Sequence, residues 1–371
     1  MRAPAWLKDA NIFDVMLIFV PLTALAQFQH MEVPAFILAC LGMVPLASLM
    51  GRATESLAER VGEGIGGLLN ATFGNACELI IAFAAMRAGF YDIVKASITG
   101  SIIGNILLVL GASMLAGGMC FPKQTFNRTA ATASATSLAL AAISLTVPAV
   151  FDAWARTNHM STALANEDEL ALGIAAVLFI VYLLTLLFSL KTHKQLYSVP
   201  TPDAAGGEDA VVTHGAGPAW KTSTCLIVLG VATVLVAYLS ETLVHRLEHV
   251  ANHFHIGRIF IGLVVVAIIG NAAEHSTAIF MARKNKMDLA MGISLGSGTQ
   301  IALFVAPLLV FLSHFFGPHP MDLNFSVFEV MSVVVSVIIL SFVATDGECN
   351  WLEGVQLLAT YAILATAFFF A

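Results

Sequence analysis

The fold class this sequence predicts is an all-α polytopic membrane protein of about eleven transmembrane helices, with one extra N-terminal helix followed by two inverted five-helix repeats. Three observations predict it. Of 371 residues, 58% are hydrophobic and 11% charged, with a mean hydropathy of +0.86, whereas soluble domains are about a quarter charged. Apolar stretches near the roughly 20 residues that span a bilayer begin near residues 12, 33, 64, 92, 128, 168, 222, 257, 288, 324 and 351. Finally, a Gly-Asn-Ala-x-Glu segment occurs twice, at 74–78 and 270–274, on either side of the one long polar connection.

The first apolar run follows Arg2 and Lys8 and lacks a convincing small-residue cleavage site, so it reads as a retained helix within residues 1–32 rather than a signal peptide. Residues 33–190 supply five more helices. The connection 191–221 carries Pro200, Pro202, Gly206, Gly207, Gly215, Gly217 and Pro218, which resist regular structure. Residues 222–371 supply the last five. An odd number of helices per repeat inverts the second repeat relative to the first, a recurring transporter plan with its site near the midplane where the halves meet. Lys and Arg concentrate in the connections on the side of the N-terminus and the linker, which places both in the cytoplasm and the C-terminus outside. Short loops point to a prokaryotic plasma (inner) membrane; in a eukaryote a vacuolar membrane would use the same machinery.

The net charge of -7 hides no acidic block, and no basic patch suggests nucleic acid. Five scattered cysteines without CxxC spacing read as small hydrophobes. No GxxxxGK[ST] run offers an ATP site, and no cofactor is expected. Nothing in the sequence gives the oligomeric state.

The matched segments carry the chemistry. Glu78 and Glu274 sit in otherwise apolar helices, where a carboxylate costs several kcal/mol, so two of them at corresponding places point to a paired cation site. Gly74 and Gly270 expose backbone carbonyls, and with Asn75 and Asn271 beside them a break in each helix would free oxygens for an ion. A second match, Ser97 to Asn105 against Gly292 to Gln300, places Ser101, Asn105 and Gln300 on the third helix of each repeat. Residues four apart share a helix face, so Gly74 with Glu78, Ser101 with Asn105, Gly270 with Glu274 and Gly296 with Gln300 can converge on one centre. Two carboxylates with carbonyls and amides form a hard oxygen set suited to Ca2+, which takes 6 to 8 such ligands. The bland alternative, ordinary packing by small residues with amides as glue, fits Asn75, Asn271 and Ser101 singly but gives no reason for buried carboxylates.

GNACELIIA at Gly74 to Ala82 and GNAAEHSTAI at Gly270 to Ile279 resemble the two signature repeats of the calcium/proton exchanger (CAX) family of the cation/calcium antiporter superfamily. The similarity extends through PLASLMGRATESLAERVG and SITGSIIGNILLVLG and covers most of residues 40 to 370. It implies the one-plus-five-plus-five fold, Glu78 and Glu274 as shared Ca2+ and proton carriers, Gly74 and Gly270 as carbonyl donors, and Asn105 and Gln300 as flanking ligands. The sequence departs from many eukaryotic members in lacking a long N-terminal extension and a strongly acidic linker, which puts an autoinhibitory element in doubt.

Exchange also follows from charge. Two buried carboxylates disfavour their doubly ionised state by desolvation and mutual repulsion, so protons compete with the metal. One Ca2+ or two H+ gives the same site charge, and only these loaded forms cross cheaply. The expected function is Ca2+ export from the cytoplasm against H+ by alternating access, with Ca2+ and H+ as cargo and the bilayer as the other partner. Na+/Ca2+ or broader divalent exchange is the alternative; several Na+ would favour a third carboxylate where Asn105 and Gln300 stand.

An enzyme is the other class considered. His245-Arg246-Leu247-Glu248-His249 matches the HxxEH peptidase pattern, but no third zinc ligand can be placed. His245, His249, His253 and His255 form a stripe that either senses pH or gathers cations, or is a solvated interfacial face. His275, pointing about 100° from Glu274 around the helix, is a candidate proton relay or a packed histidine. Glu55 and Glu241, in loosely matching segments at the ends of their helices, are candidate vestibule carboxylates or solvated charges.

Overall fold

The computed structural model describes residues 12–61, 63–160, 166–193 and 220–370. Among them the chain is a bundle of helices in which every predicted apolar stretch becomes helical. Seven unbroken helices are long and apolar enough to cross a bilayer: α2 (Glu32–Val61), α5 (Tyr91–Gly118), α6 (Arg128–Thr157), α7 (Glu167–Thr192), α8 (Thr222–Phe254), α11 (Met287–Phe316) and α13 (Trp351–Phe370). Two shorter apolar helices are α1 (Phe13–Phe28) and α12 (Val327–Val343). The remaining two crossings are broken. One is α3 (Glu63–Phe73) with α4 (Ala76–Arg87); the other is α9 (Arg258–Gly270) with α10 (Ala272–Arg283), bent by 61°. This is the predicted eleven-crossing plan, one helix ahead of two sets of five. Most of the linker, 194–219, lies outside the described residues, as does residues 1–11 of the N-terminal segment.

The two sets interlock rather than stand side by side. α2 and α8, the first helices of each, pack along one another. α4 packs on α8 while α10 packs on α2, and α5 packs on α13 while α11 packs on α7. Each half therefore completes the other's core, a cluster running from Met43, Leu46 and Met50 on α2 through Ile102 and Leu107 on α5 to Val236 and Leu239 on α8.

The closest crossing sets the position of the site. A Cβ on Gly100 of α5 would fall on the backbone of Leu263 in α9, and one on Gly262 would lie 3.0 Å from the Cβ of Ala96. Ala96 and Gly100 form the small-x3-small spacing that lets membrane helices touch backbone to backbone. Gly100→Ala is expected to destabilise the protein by about 1–3 kcal/mol or more, the usual result of overpacking, and to lower its melting temperature in detergent. Gly230→Ala, whose Cβ would meet nothing within 4 Å, is the control; equal melting of both variants would refute the close crossing.

One feature had no sequence signal. Gln124–Thr125 (β1) pairs antiparallel with Glu348–Cys349 (β2), Gln124 opposite Cys349 and Thr125 opposite Glu348, and Phe126 N–H donates to Gly347 O at 2.9 Å. The clip joins the α5–α6 and α12–α13 connections. Two-residue strands are too short to leave a period in the sequence.

Candidate functional site

Both broken crossings interrupt at the duplicated asparagine. Asn75 (φ -101°, ψ 20°) and Asn271 (φ -95°, ψ 5°) leave the helical region, and helix resumes at Ala76 and Ala272. Glu78 and Glu274 are thus each the third residue of a half-helix, in the first turn, where the positive end of the helix dipole favours a carboxylate. The carbonyl ends of α3 and α9 point into the same breaks, and that negative end favours a cation.

The glycines explain how the halves meet. A Cβ on Gly270 would lie 3.2 Å from Glu78 Cγ and 3.4 Å from its Oε1, and a Cβ on Gly74 would lie 4.0 Å from Glu274 Oε1. Each glutamate therefore lies over the other half's glycine. Glu78 is buried, only 6% exposed, whereas Glu274 is half-buried. Oε2 of each carboxylate is buried without a hydrogen-bond partner, as is Oδ1 of Asn105. Three oxygen atoms from two halves are left as free acceptors in one centre, the condition a cation would satisfy.

A polar network frames them. Asn271 Nδ2 donates to Ser101 Oγ at 3.2 Å and to Ala267 O at 2.9 Å. Asn75 Nδ2 donates to Gln300 Oε1, and Asn105 Nδ2 donates to Ser297 Oγ at 3.1 Å. Ser297 Oγ also lies 3.4 Å from Asn75 Oδ1 and 3.3 Å from Asn271 Oδ1. The predicted Ser101, Asn105 and Gln300 are all brought together with both asparagines.

Ser297 is the residue the sequence reading missed. Aligning Asn105 with Gln300 puts Gly296 opposite Ser101; the hydrogen bonds instead pair Ser101 with Ser297, each serine meeting the asparagine of the opposite half. The offset of 196 that relates Gly74 to Gly270 also relates Ser101 to Ser297, so the glutamate motif held the correct register. Past the serines, α5 and α11 each contain a π-helical stretch, Gly104–Val109 and Ile301–Val305. Such bulges widen a turn of the helix, and both follow closely on the paired serines.

The remaining candidates separate. Glu55 is half-buried on α2, the helix on which α10 with Glu274 packs. Glu241 is exposed in the middle of α8. Neither is at a helix end as expected, because α2 runs on to Val61 and α8 to Phe254; their segments match in sequence without matching in place. His275 Nε2 is buried without a hydrogen-bond partner, so a proton relay to Glu274 would need an intervening group. In the HxxEH run, Glu248 is held by Arg258 at 2.8 Å.

An inverted pair of five-helix sets, with broken helices and two carboxylates where the sets meet, defines a membrane transporter of the alternating-access class. The profile of the sodium/calcium exchanger protein family matches residues 32–191 and 224–370. Among curated relatives, the Ca(2+)/H(+) antiporter of Aphanothece halophytica is 44% identical over 372 residues, covering 98% of each chain. The Ca(2+)/H(+) antiporter ChaA of Bacillus subtilis (strain 168) is 43% identical over 352 residues, covering 94% of this chain and 96% of that one. The structure of native YfkE superposes with a TM-score of 0.81 at 40% identity, covering 97% of this chain and all of that one. The chain belongs to the sodium/calcium exchanger protein family, and the resemblance to its calcium/proton exchangers is borne out. It is a multi-pass membrane transporter and not an enzyme, which removes the peptidase reading of HxxEH.

Proposed function

We propose that the protein exports cytosolic Ca2+ in exchange for H+, with Glu78 and Glu274 loaded in turn by one Ca2+ or by protons. The observation that carries this is the reciprocal seating of each glutamate over the other half's glycine, with one oxygen of each left without a partner. Two carboxylates neutralise one divalent ion, and protonation of both returns the same charge. The empty dianion is costly to occlude in a low-dielectric centre, so the site moves loaded in both directions and exchange results.

In this reading Gly74, Gly270, Asn75 and Asn271 shape the breaks and offer backbone oxygens, and Ser101, Asn105 and Gln300 complete the set, with Ser297 added to it. Asn105 and Gln300 are neutral where a third carboxylate would serve Na+, which favours protons as the counter-ion. Glu55, half-buried on the helix against which α10 packs, serves as a vestibule carboxylate that collects the cation.

The domain boundaries proposed are 1–32 for the extra helix, 33–190 and 222–371 for the repeats, and 191–221 for a cytoplasmic linker. Positive residues on the linker side favour a cytoplasmic N-terminus and an outside C-terminus, in a prokaryotic inner membrane or, in a eukaryote, a vacuolar one. Ca2+ is cargo here, and no cofactor is assigned.

The test is Ca2+ uptake into proteoliposomes energised by a pH gradient or by a Na+ gradient alone. Uptake is expected with the pH gradient and to be collapsed by a protonophore, with no uptake on Na+ alone. Uptake driven only by Na+ would reverse the choice of coupling ion while leaving the glutamate site standing.

A further inference from the structure

The histidine stripe is the one chemistry-bearing motif that the transport reading leaves unused. α8 has 33 residues, about 50 Å of helix, against about 30 Å of bilayer hydrocarbon. Its last turns therefore stand clear of the hydrocarbon, on the face opposite the linker. His245, His249 and His253 lie at four-residue intervals on those turns, and all three are exposed.

Two of them already face each other. The rings of His249 and His253 are nearly parallel, 9° apart, with centroids separated by 6.3 Å. Neither ring carries a hydrogen bond to another described residue, and the carboxylate of this turn, Glu248, is engaged by Arg258. Two imidazoles four apart on a helix face are the paired ligands that HExxH zinc sites use. A metal–nitrogen bond of about 2.0–2.1 Å, plus roughly 1 Å to the ring centre, places imidazoles that share an ion about 5–6 Å apart between centroids. Imidazole lone pairs lie in the ring planes, so these nearly parallel rings share an ion only after turning about their Cβ–Cγ bonds until the planes meet at the metal, a motion open to exposed side chains.

We propose that His249 and His253 form a surface clamp for one borderline transition-metal ion of the Zn2+ class, with water filling the other positions. Among the described residues no three His, Cys, Asp or Glu side chains converge into a metal cage, so the site is an open two-histidine clamp rather than a closed structural one. It differs in kind from the transport centre. Imidazole nitrogen selects Zn2+, Cu2+ or Ni2+, whereas the carboxylate and amide oxygens around Glu78 and Glu274 suit hard Ca2+. The clamp reads a different class of ion without competing for the cargo.

The experiment titrates Zn2+ by calorimetry into the tag-free, full-length protein in detergent, with Ca2+ held at saturation. Wild type is expected to bind one Zn2+, and H249A and H253A each to weaken that binding by at least about tenfold, as loss of a ligand exceeds the 10–100-fold effect of outer-sphere changes. E78Q is expected to bind Zn2+ as wild type does. Melting temperatures recorded without Zn2+ show whether each exposed-site variant is folded, and H253Q repeats the test with a bulkier side chain. Failure of wild type to bind, unchanged binding in both alanine variants, or loss of binding in E78Q would overturn the clamp.

Discussion

Replacing Glu78 or Glu274 by glutamine is expected to lower pH-gradient-driven Ca2+ uptake by more than about 100-fold in each case, because removing one partner from a buried charge interaction costs about 3–5 kcal/mol and each 1.4 kcal/mol is tenfold. Glutamine keeps the size and one carbonyl oxygen, so folding should survive and the loss isolates charge. It can neither balance half of a Ca2+ nor carry a proton between the two sides. The measurement is initial Ca2+ uptake after a pH jump, with protein incorporation matched between vesicles. Uptake within about threefold of wild type in either variant would remove that glutamate from the exchange site. The burial difference sharpens the comparison: Glu78 is enclosed and Glu274 is half-buried, yet exchange by charge balance requires both equally.

Gly270→Ala is expected to weaken Ca2+ transport by at least about tenfold, since displacing a reacting group by up to 1 Å costs as much as about 100-fold. The added methyl would stand 3.2–3.5 Å from the Cγ, Oε1 and Cδ of Glu78, so the glutamate side chain must shift to make room. Alanine otherwise suits the helix, which separates this displacement from a propensity effect. Gly292→Ala, with nothing within 4 Å of its Cβ, should transport as wild type. Normal apparent Ca2+ affinity in Gly270→Ala would show that Glu78 does not need the space above this glycine.

The helices and their inversion were legible because hydrocarbon demands a nearly unbroken apolar run and tolerates few exceptions. Predicted starts near 33, 64, 92 and 288 fall within a residue or two of Glu32, Glu63, Tyr91 and Met287. Glu78 and Glu274 stood out for the same reason: a carboxylate in such a run is expensive enough to need an explanation. Asn75 and Asn271 were legible as helix breaks through their glycine neighbours, and both are breaks.

What was not legible depended on contacts between distant segments. Ser297 was lost to a one-residue slip because serine, glycine and threonine repeat closely through 292–299, so composition alone does not fix which serine faces the centre. Glu55 and Glu241 resembled each other in local sequence, yet one is half-buried and the other exposed on helices that run on to Val61 and Phe254. The strand clip at Gln124 and Cys349 joins residues too far apart, over too short a length, to leave a pattern.

The sequence by itself determined the solvent, the number of crossings, the inverted plan and the two acidic residues, since each follows from the cost of polar groups in hydrocarbon. Only the tertiary structure decided that each glutamate sits over the opposite half's glycine, that Ser101 and Ser297 are the true counterparts, and that the histidine stripe stands apart from the transport centre. The meeting of the two halves in one site rests on the crossing of α5 and α9 at Gly100 and Gly262, where the lack of a side chain lets two backbones touch.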